Sequence, residues 1–260
     1  MNETFELPNP GIELPIAGAA WTRPDPSMIQ QLYKVSSATA SAYLHKLGIR
    51  QTYIEGPRPT ILGTKIVGPA VTLQFMPQRE DIASGVAQEE IEKRSALWHV
   101  LDTIQNGDVL VIAAKGDTHS GCLGEMLITY LKGRGGIGAV VDGRIRDWTH
   151  VQPIGLPLWV RGLTPNYASQ AGLFPWAHNV PVDCANVLVL PGDIIIADDD
   201  GVVLIPIKLV PKLLELTLEH EDWESFSRQK LAEGGSIWKY YPLSDEGRLE
   251  YETFKASSLK

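Results

Sequence analysis

Two short stretches of this sequence carry residue types that can do chemistry together. The first, Gly124-Glu125-Met126-Leu127, follows an apolar run at 109–114 and the polar loop KGDTHSGCL, and it opens a segment of helical periodicity. Backbone N–H groups in the first turn of a helix lack intrahelical partners, and the positive end of the helix dipole lies there. Such a turn holds a carboxylate or phosphate without a basic side chain. The second stretch, VVDGRIRD, sets Arg146 and Asp147 just after an apolar run. Arg146 suits two-point gripping of a substrate carboxylate. Asp147 is a hard oxygen ligand suited to Mg²⁺ or Mn²⁺, with waters filling the rest of the shell. Each stretch also has a plainer reading: an ordinary strand–loop–helix connection for the first, and a surface ion pair for the second. Their combination is what favours a site.

The elements that must position these residues follow from periodicity. A buried strand over 109–114 feeds the loop, and a helix over 124–132 puts Met126, Leu127, Tyr130 and Leu131 on one face until Gly135-Gly136 stops it. A second buried strand over 137–142 ends in a turn at Asp142-Gly143, with Arg146 and Asp147 just beyond. Upstream, the Pro- and Gly-rich residues 1–26 read as an arm over the body or a neighbouring subunit. Residues 32–47 read as helical, with Ser36, Ser37 or Thr39 as cap and Gly48 as stop, and 65–75 as a strand pair or one bent strand around Gly68-Pro69. An amphipathic helix is expected over 81–99. Downstream, 156–160, 180–190, 194–197 and 202–206 read as strands, and Asp198-Asp199-Asp200-Gly201 as a turn rather than a metal cluster. A long helix runs from Pro211 to about Leu231, and the tail from Gly234 is aromatic early and polar late. Alternation of strands and helices indicates a mixed α/β fold.

Composition narrows the function classes. The chain has 260 residues, of which 44% are hydrophobic, so its core needs no metal to fold and any metal would be catalytic rather than structural. A formal net charge of −8 argues against nucleic acid as partner, because that grip needs clustered Lys and Arg. A small anion is compatible with that charge, since one Arg in a water-poor cleft outweighs a diffuse acidic surface. Cys122 and Cys184 have no zinc-ligand spacing and read as packed thiols of a cytoplasmic protein, with Cys122 close enough to the loop to line a pocket. No apolar run approaches a membrane span, so no membrane association is expected.

Several stretches together resemble the regulator of ribonuclease activity A (RraA)-like family, which includes class II 4-hydroxy-4-methyl-2-oxoglutarate/4-carboxy-4-hydroxy-2-oxoadipate aldolases. They are Ser37-Ala38-Thr39, GPAVTL from Gly68, Gly107-Asp108, GEML from Gly124, GAVVDGRIRD from Gly138, and PGDIIIADDDGVVLIP from Pro191. The resemblance implies a swivelling β/β/α domain over about 31–210, with an N-terminal arm (1–30) and a C-terminal helical extension (211–260) outside it. It also implies a homotrimer or hexamer with sites at subunit boundaries. In the aldolase members, amides of the GExL segment and the Arg of DGxxRD hold the pyruvoyl end, and the Asp supports a divalent metal largely through water. Carried over, substrate binding falls on Gly124, Glu125, Met126, Leu127 and Arg146, metal support on Asp147, and catalysis on Arg146, Asp147 and Glu125. An acidic residue of the adjacent subunit contributes in some members; Glu215, Glu219, Glu221 and Asp222 are the candidates here.

The expected activity is therefore a Mg²⁺- or Mn²⁺-dependent lyase that cleaves a 4-hydroxy-2-oxo acid to pyruvate, with oxaloacetate decarboxylation on the same site. A metal site that draws electrons from the carbonyl leaves no need for a Schiff-base lysine; Lys115 is the rival. Glu125, or a metal-held water it orients, is the candidate for proton movement. His119 is a candidate substrate contact, and Trp148 and His150 candidate rim residues. Trp98, Trp159, Trp176 and Trp238 read as core or interface. The alternatives are a lyase or dehydratase acting on a sugar-derived 2-oxo acid, and a non-catalytic inhibitor of an RNA-degrading endonuclease. A methyltransferase role lacks a convincing glycine-rich nucleotide loop.

Overall fold

Four parallel strands at the centre of one sheet organise the chain, and their order explains where the two chemical stretches meet. The computed structural model describes residues 13–82 and 92–258, without the side chains of residues 218, 219, 221 and 258. It divides into two compact units, residues 1–210 and 211–260.

In the first unit, β1 (Ile16–Ala17), α1 (Pro26–Leu32) and α2 (Ser37–Lys46) precede the short β2 (Tyr53–Ile54) and β3 (Arg58–Pro59). The central strand β4 (Ile66–Pro77) is followed by α3 (Ala96–Thr103) and β5 (Val109–Ala113). Next come α4 (Glu125–Gly133), β6 (Gly138–Ile145), the single turn α5 (Trp148–Val151) and β7 (Leu158–Leu163). Then follow β8 (Leu173–His178), β9 (Val182–Cys184), β10 (Val187–Val189), β11 (Ile194–Ala197) and β12 (Val202–Ile205). The described residues form a ten-stranded sheet in the order β2-β12-β11-β4-β5-β6-β7-β3, with β8 also on β4 and β1 on β8; β9 and β10 form a separate hairpin. Strands β4 to β7 are parallel, which places the loops after β5 and β6 at one end of the sheet. This is a mixed α/β fold, as the alternating pattern implied.

The twelve-residue β4 is one irregular strand rather than a pair. It pairs with β11 through residues 66–69, with β5 through 70–74, and with β8 through 73–77, the register shifting between Gln74 and Phe75. Strands buried on both faces explain the uninterrupted apolar runs at β5, β11 and β12.

Several local expectations change. The helix expected within 32–47 is α2, narrowed to Ser37–Lys46, while Leu32 ends the separate α1; Ser36 is the cap of α2, its Oγ accepting from the Thr39 N–H at 3.0 Å. The helix expected over 81–99 lies partly outside the described residues; the described helix is α3, beyond Ser95. Periodicity missed β8, which is buried along its whole length. The described part of the arm lies on the body: β1 pairs with β8, and Arg23 grips the fully buried Asp108 at 2.6 Å. Asp198 serves the turn and α2, accepting from Ser37 N and Oγ, and takes part in no metal cluster among the described residues. Trp159 and Trp176 are buried, whereas Trp98 and Trp238 are exposed. No described helix is long and apolar enough to cross a membrane.

The second unit consists of α6 (Val210–Ala232, nearly all of it in this unit), α7 (Ile237–Tyr240) and α8 (Asp245–Ser258). Phe226, Tyr240 and Tyr251 are its small core. The late, polar part of the tail contains α8, whose one buried apolar anchor, Tyr251, gave too weak a periodicity to see.

Candidate active site

The loop after β5 and the end of β6 are joined by backbone hydrogen bonds. Cys122 N–H donates to Arg144 O at 2.8 Å, and Arg146 N–H donates to Leu123 O at 2.9 Å. Gly121 N–H donates to Asn166 O at 3.0 Å, bringing in the loop after β7. This ladder sets Gly124, at the start of α4, directly against Arg146 and Asp147. It also corrects the expected turn at Asp142-Gly143. The strand continues to Ile145, and its register with β7 shifts between Val141 and Arg144, because the 121–123 segment supplies new partners there. Asp142, expected as a turn residue, is buried and paired with Arg161.

Gly124 caps α4 without a side chain, so no cap side chain occupies the first-turn N–H groups of Met126 and Leu127. The Glu125 N–H makes a long 3.4 Å hydrogen bond to Asp147 Oδ2. Arg146 Nε lies 3.5 Å from the same oxygen, with both side chains a little over one third exposed. Asp147 has φ of +62°, a left-handed conformation uncommon outside glycine, and it starts α5. The Arg146 guanidinium lies 5.9 Å from the Tyr167 ring centre. Glu125 Oε2 is 3.7 Å from His150 Nδ1.

Gly124, Glu125, Met126, Leu127, Arg146 and Asp147 all line one cleft of about 150 Å³, together with Cys122. Burial pushes the Cys122 thiol far above its ordinary range, so it adds no nucleophile. The expected apolar face of α4 is corrected: Ile128 and Leu131 are buried, while Met126 is 73% exposed and Tyr130 is exposed too. The sheet approaches α4 from the Ile128 side, which turns Met126 outward.

Other candidates fall elsewhere. Lys115 lines a different cavity with Gly116, Asp142 and Arg161, and the two cavities share no lining residue. The alternation of β4 separates them, Phe75 facing the first and Gln74 and Met76 the second. His119 and Trp148 are absent from the lining of the cleft, and Trp148 packs on the core. The loop is shaped by Asp117, whose carboxylate accepts from the N–H groups of Ser120 (2.5 Å) and His119 (2.8 Å). Partial burial works against its ionisation, yet these amides hold its pKa below the ordinary value. Tyr167, Ser169, Phe75, Leu97, Leu173 and Pro175 are among the further residues that line the cleft, and they were not read from the sequence as site residues. They come from separate elements, and nothing local marks them as neighbours.

The donor set bears on a metal. Among the described residues no three His, Cys, Asp or Glu side chains converge. One partly exposed carboxylate, Asp147, fits a hard, largely hydrated cation such as Mg²⁺ or Mn²⁺ and does not fit a four-ligand zinc site. Of the acidic candidates in the second unit, Glu215 pairs with Lys212, Asp222 is exposed, and the side chains of Glu219 and Glu221 lie outside the described residues.

Fold and cleft together define an α/β protein with a carboxylate-and-guanidinium site at a helix N-terminus. The chain belongs to the Aldolase/RraA family, whose model matches residues 33–204. A Halalkalibacterium halodurans protein named "Putative 4-hydroxy-4-methyl-2-oxoglutarate aldolase" is 34% identical over 149 residues, covering 57% of this chain and 63% of that one. Protein DlpA of Legionella pneumophila is 26% identical over 216 residues, covering 82% of this chain and 33% of DlpA. The matches thus span less than two thirds of these relatives' length. Among solved structures, Streptomyces coelicolor RraAS2, described as an unusual member of the RNase ES inhibitor RraA protein family, is 52% identical with a TM-score of 0.74, over 80% of this chain and 99% of that one. An uncharacterized protein from Pseudomonas syringae pv. tomato shares the fold at 23% identity, with a TM-score of 0.71 over 85% of this chain and 99% of that one.

Proposed function

We propose that this protein is a divalent-metal-dependent carbon–carbon lyase that cleaves a 4-hydroxy-2-oxo acid to pyruvate and a carbonyl product. The observation that carries the reading is the backbone ladder that brings the Gly124 helix start and the Arg146–Asp147 pair to one cleft. Arg146 pairs with the substrate's 1-carboxylate, and the amides of the α4 first turn orient the pyruvoyl end. Asp147 holds the Mg²⁺ or Mn²⁺ ion, which when bound supplies a Lewis acid that draws electron density from the 2-oxo group. Glu125, or a water it orients, takes the proton of the 4-hydroxyl oxygen. The C3–C4 bond then breaks, its electron pair passes to the pyruvoyl fragment, and protonation at C3 yields pyruvate. Loss of CO₂ from oxaloacetate leaves the same pair at C3, so one site serves both reactions.

A second reading is favoured by the 52% identity to RraAS2: a protein that binds and inhibits an RNA-degrading endonuclease without turnover. The experiment that separates them is pyruvate release from oxaloacetate and a panel of 4-hydroxy-2-oxo acids, with Mg²⁺, with Mn²⁺ and with EDTA, for wild type, Asp147→Ala and Arg146→Ala. Metal-dependent release lost in both variants is the expected result. Release no greater than the metal ion alone produces would overturn the lyase reading.

A further inference from the structure

The cleft has two chemically different ends. Its polar end is the tip of β6 and the start of α4, with Arg146, Asp147 and Glu125. Its other wall is apolar. Phe75 on β4 and Pro175 on β8 are cross-strand partners, Leu173 lies two residues further along β8, and Leu97 of α3 faces the same space. In the sheet, β5 separates β6 from β4, and β8 lies on the far side of β4. Both ends line one cleft of about 150 Å³, so a short acid anchored at Arg146 carries its distal end toward the apolar wall.

Charge agrees with shape. Among the described residues lining the cleft, Arg146 is the one cation, against the carboxylates of Glu92, Glu125 and Asp147. Arg146 and a cation on Asp147 are matched by the substrate's own 1-carboxylate and those side chains. A second substrate carboxylate would meet Phe75, Leu97, Leu173 and Pro175 with no second cation among the described lining residues, and an unpaired charge against apolar surface is strongly disfavoured. An alkyl group there instead leaves water for an apolar wall.

We infer that this site selects 2-oxo acids whose distal group is apolar and uncharged, so that the natural substrate is an aldol of pyruvate with an apolar carbonyl compound rather than a dicarboxylate such as 4-hydroxy-4-methyl-2-oxoglutarate. The inference rests on the lyase reading for the identity of the anchored end. Its test is binding, which needs no turnover. Isothermal calorimetry of the full chain with saturating Mg²⁺ compares 4-methyl-2-oxopentanoate with 2-oxoglutarate. The expected result is Kd lower by about tenfold or more for the apolar acid, the scale of discrimination by hydrophobic pockets. Leu97→Arg, which adds a cation to the apolar wall, narrows or inverts that ratio. Equal or tighter binding of 2-oxoglutarate to wild type overturns the inference and leaves the lyase reading to stand on pyruvate release. Binding of neither acid, with no pyruvate released from any substrate, overturns both.

Discussion

Replacing Gly124 by Ala tests whether the Asp147 and Arg146 positions matter to sub-ångström accuracy. A Cβ at Gly124 would stand 2.6 Å from Asp147 Oδ2, 3.1 Å from Arg146 Nε and 3.3 Å from Arg146 Cγ. Ordinary contact begins near 3.4 Å, so the carboxylate oxygen must retreat by about 0.8 Å, the difference between the two distances. Asp147 has a short side chain on a left-handed backbone, so the shift falls on its χ angles and on the Arg146 head together. Misplacement of reacting groups by about 1 Å costs on the order of 100-fold in rate, or about 2.7 kcal/mol of barrier. Stability should barely change. Gly124 has φ of −132° and ψ of −177°, extended backbone open to any residue. The stiffer unfolded chain contributes about 0.4–1 kcal/mol, offset by the poorer capping of Ala. The assay is metal-dependent pyruvate release beside thermal melting. The expected outcome is kcat/KM down about 100-fold with Tm within a few degrees of wild type. A folded Gly124→Ala protein with nearly full kcat/KM would refute the argument that this contact sets the site.

Three further outcomes are expected. Lys115→Ala retains metal-dependent pyruvate release, and borohydride traps no adduct, because Lys115 faces the other cavity; loss of a trappable activity would reverse that assignment. Arg23→Ala leaves the fully buried Asp108 carboxylate without its ion pair and lowers unfolding free energy by about 3–5 kcal/mol, read by urea titration; a change under 1 kcal/mol would show the arm to be dispensable. Burial, aided by the stacked His99, lowers the His178 pKa, so the unfolded chain takes up a proton first as pH falls. Stability is then lost on acidification from about pH 6.5 downward, and His178→Phe flattens that limb of Tm against pH.

Much of the site was legible because its chemistry lies in two contiguous stretches. A glycine before a helical period announces a helix start, and Arg-Asp after an apolar run announces charged groups at a strand end. The GEML and DGRIRD spacings also carried the family resemblance that the match over residues 33–204 bears out. The strand at 109–114, the helix from Gly124 and the Asp198–Gly201 turn follow from local pattern alone. The exposed Met126 was misread because its 3.6-residue spacing with Tyr130 fits either side of a short helix.

The sequence by itself determined the family and the α/β class, and it singled out residues of the types suited to a carboxylate or a hydrated cation, because these depend on residue type and short-range spacing. Only the tertiary structure decided that β6 runs through Asp142-Gly143, since the partners that carry the strand on, Gly116 for Asp142 and residues 121–123 for Arg144 and Arg146, lie more than twenty positions away. It also decided that Lys115 and Arg146 open into different cavities, because successive β4 side chains point to opposite faces. The apolar wall of Phe75, Leu97, Leu173 and Pro175 has the same origin: strand pairing in space joins residues that the chain holds a hundred positions apart.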